Sequence, residues 1–319
     1  MASRSTLSRA FGRNAPLLVV IALILLLVLI GGVMTDRFLT TRNLVNIFEQ
    51  STGLGLVSLG QTLVILTGGI DLSLGSVMSL AATLSSGIIN KDPALMITVL
   101  PMVIVLATAI GALNGALIDR LGVHPLIVTL GTGTVVQGMI LLYAMTPIGA
   151  MPVEMGVLSY GRFLGLPIGA SLMVLAFILA ALWLRYTGTG RDVYAFGDDP
   201  AAARLLGINR LKLLMIVYGM CGFFAAIAGI YVAVRLGVGS PYLGQNYTLA
   251  SITPVVVGGT MLSGGRGGVI GSLLGVFLVS VLNNLLNFMQ VSTHIQLVAQ
   301  ALIIIAAVSV YLDAKRRMA

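Results

Sequence analysis

Long apolar runs alternate with short polar or charged segments along the whole chain. A helix needs about 20 residues to cross the hydrocarbon of a bilayer, and runs near that length predict ten spans. They lie near 16–34, 47–67, 72–90, 94–118, 125–148, 164–184, 213–234, 248–263, 267–286 and 294–312. The pattern therefore predicts an all-α polytopic membrane protein with about ten transmembrane helices, some of them broken.

The eighth run, 248–263, is short and contains Pro254 and the pair Gly258–Gly259, so it either crosses as a broken helix or re-enters on one side. Lys and Arg concentrate in the cytoplasmic loops of membrane proteins. With ten crossings and a cytoplasmic N-terminus, 13 of the 18 basic residues face the cytoplasm, whereas a re-entrant eighth run would leave 9 on each side. The charge distribution favours ten crossings with both termini in the cytoplasm.

Composition excludes a soluble globular protein. Hydrophobic residues make up 58% of the 319 positions and charged residues 9%, whereas about a quarter of a soluble domain is charged. Basic cytoplasmic loops account for most of the net charge of +8 without a nucleic-acid partner. A single cysteine and two histidines far apart in sequence predict neither a disulfide nor a metal site. One transmembrane domain is expected over 1–319, with a cytoplasmic tail at 1–15, a cytoplasmic loop at 186–212 and a cytoplasmic tail at 313–319.

The stretch TGGIDLS, residues 67–73, holds the only charge between Gln50 and Asn90. A charge at the centre of a membrane helix costs roughly 2.5–3.5 kcal/mol, so we expect Asp71 near the membrane boundary. Gly68 and Gly69 can end one helix, and Asp71 can cap the next by accepting hydrogen bonds from its first amides. A gating or substrate contact is the alternative role for Asp71.

A second stretch, Gly258 to Ser263, repeats the pattern GGxxLS of the first. Transporters are often built from internal repeats whose broken helices surround the pathway, and chance similarity in a chain with 39 glycines is the alternative. Glycines also flank a basic residue just after this stretch, which predicts a tight cytoplasmic turn. The residues assigned to turns or gating are Gly68, Gly69, Asp71, Gly258, Gly259 and Arg266.

The loop 186–212 predicts a short helix outside the membrane. Asp198 and Asp199 are capping candidates, Pro200 suits the first helical position, and Gly207 suits a stop after a helix-favouring run. A helix over Pro200–Gly207 is too short to be stable alone. It therefore packs either on its own spans or in a cleft of a partner protein.

The energy source and the solute are constrained by what the spans contain. No GxxxxGK[ST] motif occurs, so any ATP must be hydrolysed by another subunit. Uncharged polar residues inside spans can hydrogen-bond to the hydroxyls of a neutral solute, although bonding between helices is at least as good an explanation for each. The candidates for a translocation pathway are Gln50, Ser51, Gln61, Asn114, Thr129, Thr132, Gln137, Asn246, Asn283 and Asn284.

Five motifs in order along the chain resemble one family. They are TGGIDLSLGS (67–76), ALNGALI (112–118), PLIVTLGT (125–132), GRDVYAFGDDPAAARLLGI (190–208) and VVVGGTMLSGGRGGVIGSLLG (255–275). Together they are similar to the permease subunits of bacterial ABC importers for ribose and related monosaccharides. The resemblance implies an inner-membrane protein that transports its solute by alternating access. The partners that it implies are a second permease copy or homologue, a cytoplasmic ABC ATPase, a periplasmic sugar-binding protein and membrane lipid.

The same resemblance places the ATPase contact on the loop helix. The coupling residues that it implies are Arg191, Tyr194, Asp198, Asp199, Pro200, Ala202, Ala203, Arg204 and Gly207. It also implies that this chain binds no cofactor, because ATP and Mg bind to the partner ATPase, and that it is a transport subunit rather than an enzyme.

Two departures from the family pattern concern the identity of the solute. An ELDAIA-like start to the eighth run is replaced by Tyr247–Ser251, and Gln137 stands where an Arg-Gly pair is common. Permeases for an autoinducer, a nucleoside or a branched-chain amino acid are the alternatives within this class of transporter. An ion-coupled secondary sugar carrier is the alternative outside it.

Overall fold

The computed structural model describes residues 3–163, 165–292, 295–296, 298 and 301–302, with the backbone alone for 3–16. The described residues form thirteen α-helices and one two-stranded antiparallel sheet. The helices are α1 (Ser3–Met34), α2 (Thr41–Leu66), α3 (Leu74–Ile89), α4 (Met96–Leu121), α5 (Pro125–Tyr143), α6 (Gly156–Tyr160), α7 (Ile168–Tyr186), α8 (Gly188–Asp198), α9 (Pro200–Leu205), α10 (Arg210–Leu236), α11 (Gln245–Ala250), α12 (Ile252–Val257) and α13 (Val269–Phe288). The strands are β1 (Arg162–Phe163) and β2 (Leu166–Pro167).

The prediction of a polytopic helical membrane protein is confirmed. Within the described residues, six helical stretches are long and apolar enough to cross a membrane. They are Leu17–Met34, Pro93–Leu121, Pro125–Tyr143, Ile168–Tyr186, Arg210–Leu236 and Val269–Phe288. Helices α2 and α3 lie at the second and third predicted spans, but α2 carries more polar residues and α3 has only 16 residues. Most of the tenth predicted span (294–312) and the whole tail 313–319 lie outside the described residues.

Several predicted boundaries differ from the structure. The sixth span was predicted from residue 164, but β1 and β2 form a hairpin there and α7 begins only at Ile168. The eighth run is two short helices, α11 and α12, that meet at Ser251, because Pro254 has no amide hydrogen to donate to the Ala250 carbonyl. Helix α1 begins at Ser3, so it includes most of the predicted tail 1–15.

Helix α10 is central and packs against α2, α3 and α4. Its contact with α4 is close because small residues face each other: any side chain at Gly111 or Gly115 of α4 would collide with the α10 backbone at Tyr218 or Leu214. Small residues let helix backbones approach in a membrane, where van der Waals contact replaces the hydrophobic effect as the driving force. Gly111 and Gly115 therefore have a packing role.

The two ends of the bundle are distinct. We call the end that carries α8 and α9 the loop end. The opposite end, where the Met151 amide donates to the Gly237 carbonyl at 3.0 Å, is called the far end. The chain from 237 to 265 begins at the far end and runs beside α3. At the loop end, the Gly265 amide donates to the Leu66 carbonyl at 3.0 Å. The eighth segment therefore connects opposite ends of the bundle.

The predicted GGxxLS repeat is a repeat of helix ends, shifted by one residue. At the end of α2, Gly68 (φ +79°) donates its amide to Ile65 and Gly69 donates to Val64, which satisfies two carbonyls of the last turn. Helix α12 ends with the same pair of bonds, but the left-handed residue is Gly259 (φ +91°). The left-handed glycine is thus the first of its pair in one stretch and the second in the other, so the matching letters do not occupy matching positions.

Candidate functional site

A polar cavity of about 760 Å³ opens at the far end. Helices α2, α11 and α13 each line it from one face, because their lining residues recur at intervals of three or four. Along α2 the lining runs for eight residues, which is a depth of roughly 12 Å. The polar side chains that these helices contribute include Asn46, Glu49 and Gln50 of α2, Asn246 of α11, and Ser280 and Asn283 of α13.

Hydrogen bonds use only part of the polar capacity of this cavity. Gln50 Nε2 donates to Asn46 Oδ1 at 3.0 Å, and the Tyr160 hydroxyl donates to the Arg235 carbonyl at 2.7 Å. Within the described residues, the Glu49 carboxylate and the Arg235 guanidinium accept and donate no hydrogen bond and form no ion pair. The cavity therefore offers both donors and acceptors to a hydroxylated solute.

The structure brings three of the ten predicted pathway residues into this cavity: Gln50, Asn246 and Asn283. The other seven lie elsewhere and are Ser51, Gln61, Asn114, Thr129, Thr132, Gln137 and Asn284.

Most of these seven hold the chain together. Asn284 and Asn43 exchange two amide hydrogen bonds of 2.9 Å between α13 and α2. Gln137 Nε2 donates to the Pro241 carbonyl at 3.0 Å, which fastens the segment after α10 to α5. Gln61 is fully buried, and neither polar atom of its amide has a partner in the described residues. Bonding within the bundle, the alternative explanation, therefore fits Asn284 and Gln137.

Asp71 is buried, with 1% of its surface exposed. Its Oδ1 accepts hydrogen bonds from the backbone amide and the hydroxyl of Ser73, at 2.9 and 2.6 Å, and its carboxylate lies close to the Cys221 thiol. Cys221 lies eleven residues into α10, roughly 16 Å from the loop end. The N-cap of α3 is Ser73, with no side-chain capping bond, so Asp71 holds the turn before the helix rather than capping the helix as predicted. It does not lie at the predicted membrane boundary either, because α10 packs over the turn.

Two of the predicted pathway residues hold the turn that carries Asp71. Asn114 Nδ2 of α4 donates to the Ser73 hydroxyl at 2.9 Å, and the Leu72 amide donates to Thr129 Oγ1 of α5 at 3.1 Å. The carboxylate thus lies among four helices, although its sequence position is between two. These side chains position the turn and do not line the polar cavity.

The loop 186–212 contains two helices rather than the one predicted. Helix α8 was not predicted, and it is fastened to the bundle: the Tyr194 hydroxyl donates to the Gly267 carbonyl at 3.2 Å, and Arg210 lies 6.0 Å from the Phe196 ring centroid. Arg210 also pairs with Asp119 of α4 at 3.3 Å. Partial burial raises the pKa of the Tyr194 phenol. Helix α8 is therefore fixed to the loop end of the bundle.

Helix α9 matches the predicted loop helix but ends two residues earlier, at Leu205. Ala203 is buried against the protein, whereas Leu205 and Leu206 are 90% and 77% exposed. Gly207 adopts φ +80° as expected for a stop. Of the other predicted coupling residues, those with exposed side chains are Arg191, Asp198, Asp199, Pro200, Ala202 and Arg204.

Asp199 caps α9, as predicted, and Asp198 ends α8 instead. Asp199 Oδ1 accepts from the amides of Ala201 and Ala202 at 2.8 and 3.1 Å. Replacing Asp199 by alanine is expected to destabilise α9 by about 1 kcal/mol, seen as faster amide exchange confined to α9. Asp198→Ala is the matched control, because in the described residues the Asp198 side chain caps no helix. Equal exchange in both variants would contradict the capping role.

Three segments meet at the loop end. The Leu66 carbonyl at the end of α2 accepts from Gly265 at 3.0 Å, and Gly197 of α8 packs directly on that carbonyl. Gly264 packs on the Gly68 amide. We call this set of contacts the loop-end junction. It links α8 to both glycine turns, so a displacement of α8 acts on both of them.

The remaining turn residues have packing roles. Gly258 packs against Gly271 of α13, where a side chain on either would collide with the other backbone. Arg266 has an exposed side chain, and its carbonyl accepts from the Met261 amide at 3.0 Å, which closes the turn.

A second cavity, of about 490 Å³, lies between α2, α7 and α10. Its wall is almost entirely apolar, with Met173 and Phe224 among the lining residues. A hydroxylated solute would lose its hydrogen bonds to water there without replacement. The polar cavity is therefore the candidate site for a solute.

Sequence reasoning missed four residues of these surfaces. Glu49 and Arg235 line the polar cavity, and Leu205 and Leu206 are exposed at the end of α9. A signal for the first was present, since Asn46, Glu49 and Gln50 form a polar stripe at helical spacing.

The chain is similar to known transport proteins. The family model described as branched-chain amino acid transport system / permease component matches residues 43–308. The ribose import permease protein of Bacillus subtilis is 38% identical over 304 residues, covering 91% of this chain and 90% of the relative. The ribose import permease protein of Escherichia coli K12 is 37% identical over 317 residues, covering 97% and 98%.

More distant relatives have other solutes in their names. The D-allose transport system permease protein of Escherichia coli K12 is 31% identical, with 90% of this chain and 88% of the relative covered. The autoinducer 2 import system permease protein of Photorhabdus laumondii is also 31% identical, with the same coverage. No solved structure matches the chain significantly. The matched length and the identities show that this chain belongs to the family of branched-chain amino acid transport system permease components.

Proposed function

We propose that this chain is the membrane permease subunit of an ATP-driven importer that carries a monosaccharide, or a similarly small polyhydroxylated solute, across the bacterial inner membrane. The observation that carries the proposal is the polar cavity, because its neutral amides suit hydroxyl groups better than they suit an ion. Relatives named for ribose, allose and fructose support the same class of solute.

The proposed orientation places the loop end in the cytoplasm and the far end outside. The eighth segment then crosses the membrane, which agrees with its contacts at both ends of the bundle, and ten spans put both termini in the cytoplasm. The far-end cavity receives the solute from a periplasmic binding protein. A second permease copy or homologue completes the pathway, and ATP and Mg bind to a separate ATPase.

Coupling to that ATPase is proposed to run through α9. Its two exposed leucines suit a cleft on the partner, and α8 connects them to the loop-end junction. Closure of the ATPase dimer would displace α9 and α8, and the junction would pass the displacement to α2 and α13. The permease makes and breaks no covalent bond.

The proposed function is tested by uptake of labelled ribose, allose and fructose into cells that express this chain with and without its ATPase and binding protein. Uptake that requires both partners is the expected result. Uptake that persists without the ATPase and collapses with the proton gradient would instead establish a secondary carrier.

Replacing Leu205 and Leu206 together by serine is expected to weaken binding of the ATPase at least tenfold, because each buried leucine contributes about 1.5–3 kcal/mol. Thermal stability should not change, since both side chains are exposed. Leu121→Ser at the end of α4, also an exposed leucine of the loop end, is the control. Unchanged co-purification of the ATPase with the double variant would contradict the assignment of α9.

A further inference from the structure

The polar cavity holds two charged side chains that no described group neutralises. Glu49 projects from α2 and Arg235 from the last turn of α10. Their helices are joined at this level, because the Tyr231 hydroxyl of α10 donates to the Glu49 carbonyl at 3.1 Å. The carboxylate and the guanidinium nevertheless form no ion pair with each other within 4 Å. As far as the described residues show, both groups are left to bind a third group.

The two groups have complementary hydrogen-bonding chemistry. A carboxylate accepts at two oxygens, and a guanidinium donates from a planar fork. Two adjacent hydroxyls satisfy both groups, since each hydroxyl donates to the carboxylate and accepts from the guanidinium. Hydrogen bonds to charged groups are stronger than hydrogen bonds between neutral ones. Glu49 and Arg235 can therefore distinguish solutes by their hydroxyl groups, which the neutral amides of the cavity cannot do.

We propose that Glu49 and Arg235 select the solute by a pair of adjacent hydroxyl groups, an inference that rests on the proposed function. The combined charge of the pair is zero, which favours a neutral solute: an anion would be repelled by Glu49 and a cation by Arg235. A zwitterionic amino acid would also match the two charges. The neighbouring Asn46, Gln50 and Asn246 suit further hydroxyls rather than an aliphatic side chain.

The experiment compares Glu49→Gln and Arg235→Gln in the complete importer reconstituted in liposomes. The probes are labelled ribose, 2-deoxyribose, which lacks one of the adjacent hydroxyls, and leucine. Each variant is expected to lower ribose uptake about tenfold and to reduce the preference for ribose over 2-deoxyribose. The matched controls are Glu154→Gln and Arg162→Gln, which alter exposed charges of the far end outside the cavity and should leave uptake and preference unchanged.

Three other outcomes would overturn the inference. An unchanged preference for ribose in both variants would show that the pair does not read the solute. A loss of ATPase stimulation by the loaded binding protein equal to the loss of uptake would show that the charges bind that protein instead. Uptake of leucine, abolished by both substitutions, would assign the pair to a zwitterion. Failure of the proposed function is separate, because the unaltered importer would then show no ATP-dependent uptake of sugar.

Discussion

Replacing Asp71 by alanine is expected to lower the free energy of unfolding by about 3 kcal/mol. Asp71 Oδ1 accepts from the backbone amide and the hydroxyl of Ser73. A buried donor without an acceptor costs about 1–3 kcal/mol, and the variant leaves two. Asp71→Asn should destabilise less, because asparagine keeps one acceptor oxygen for both Ser73 bonds and removes only the negative charge near the start of α3. Unfolding of the purified protein in detergent measures both effects.

Asp92→Asn is the control for charge and shape. Asp92 caps a short exposed helical turn by accepting from the Ala94 amide at 2.9 Å, and asparagine caps equally well. A change below about 0.5 kcal/mol is expected for this exposed site. If Asp71→Ala were as stable as the unaltered protein, the turn would not depend on the carboxylate. The gating role would then become the better explanation of a charge at this depth.

Replacing Gly222 by alanine is expected to destabilise the protein by about 1–3 kcal/mol. Gly222 of α10 lies directly against the Ala107 carbonyl of α4, where a methyl group cannot fit without separating the helices. This interface belongs to the central helix of the bundle, so the separation would spread to the contacts of α10 with α2 and α3. Thermal unfolding in detergent measures the loss.

Gly138→Ala in α5 is the matched control, with an expected effect of opposite sign. No atom lies within 4 Å of the position that its methyl group would occupy. Alanine favours a helix over glycine by about 1 kcal/mol, so this variant should be slightly more stable than the unaltered protein. Destabilisation of the same size at both positions would mean that helix packing does not explain the Gly222 result.

The helices of the membrane bundle could be predicted because the bilayer imposes length and apolarity on each one separately. Helix α8 could not, since GRDVYAF has no long apolar run and the helix is held by contacts with Gly267 and Arg210. The depth of Asp71 escaped prediction for the same physical reason: α10 covers the turn, and no local pattern encodes that contact.

The residue types of the candidate site could be predicted from the sequence, but not which individual residues line the cavity. Uncharged amides do line the polar cavity, yet Gln50 faces it and Gln61, eleven residues further along α2, faces the interior. Which face of a helix is exposed to a cavity depends on where neighbouring helices leave space. Glu49 and Arg235 could not be predicted to share the cavity, because they belong to different helices and no local pattern encodes which helices pack together.

The loop-end junction also constrains how the protein is made. The bond from Gly265 to Leu66 joins residues from the first and the last third of the chain. Because the chain is made from its N-terminus, α2 and α8 are synthesised long before Gly265. In the nascent protein, the loop-end junction therefore cannot form until the last third of the chain has been made. Helix α9 reaches its final position only then. An ATPase that recognises this position of α9 would bind complete permeases and would not bind incomplete ones.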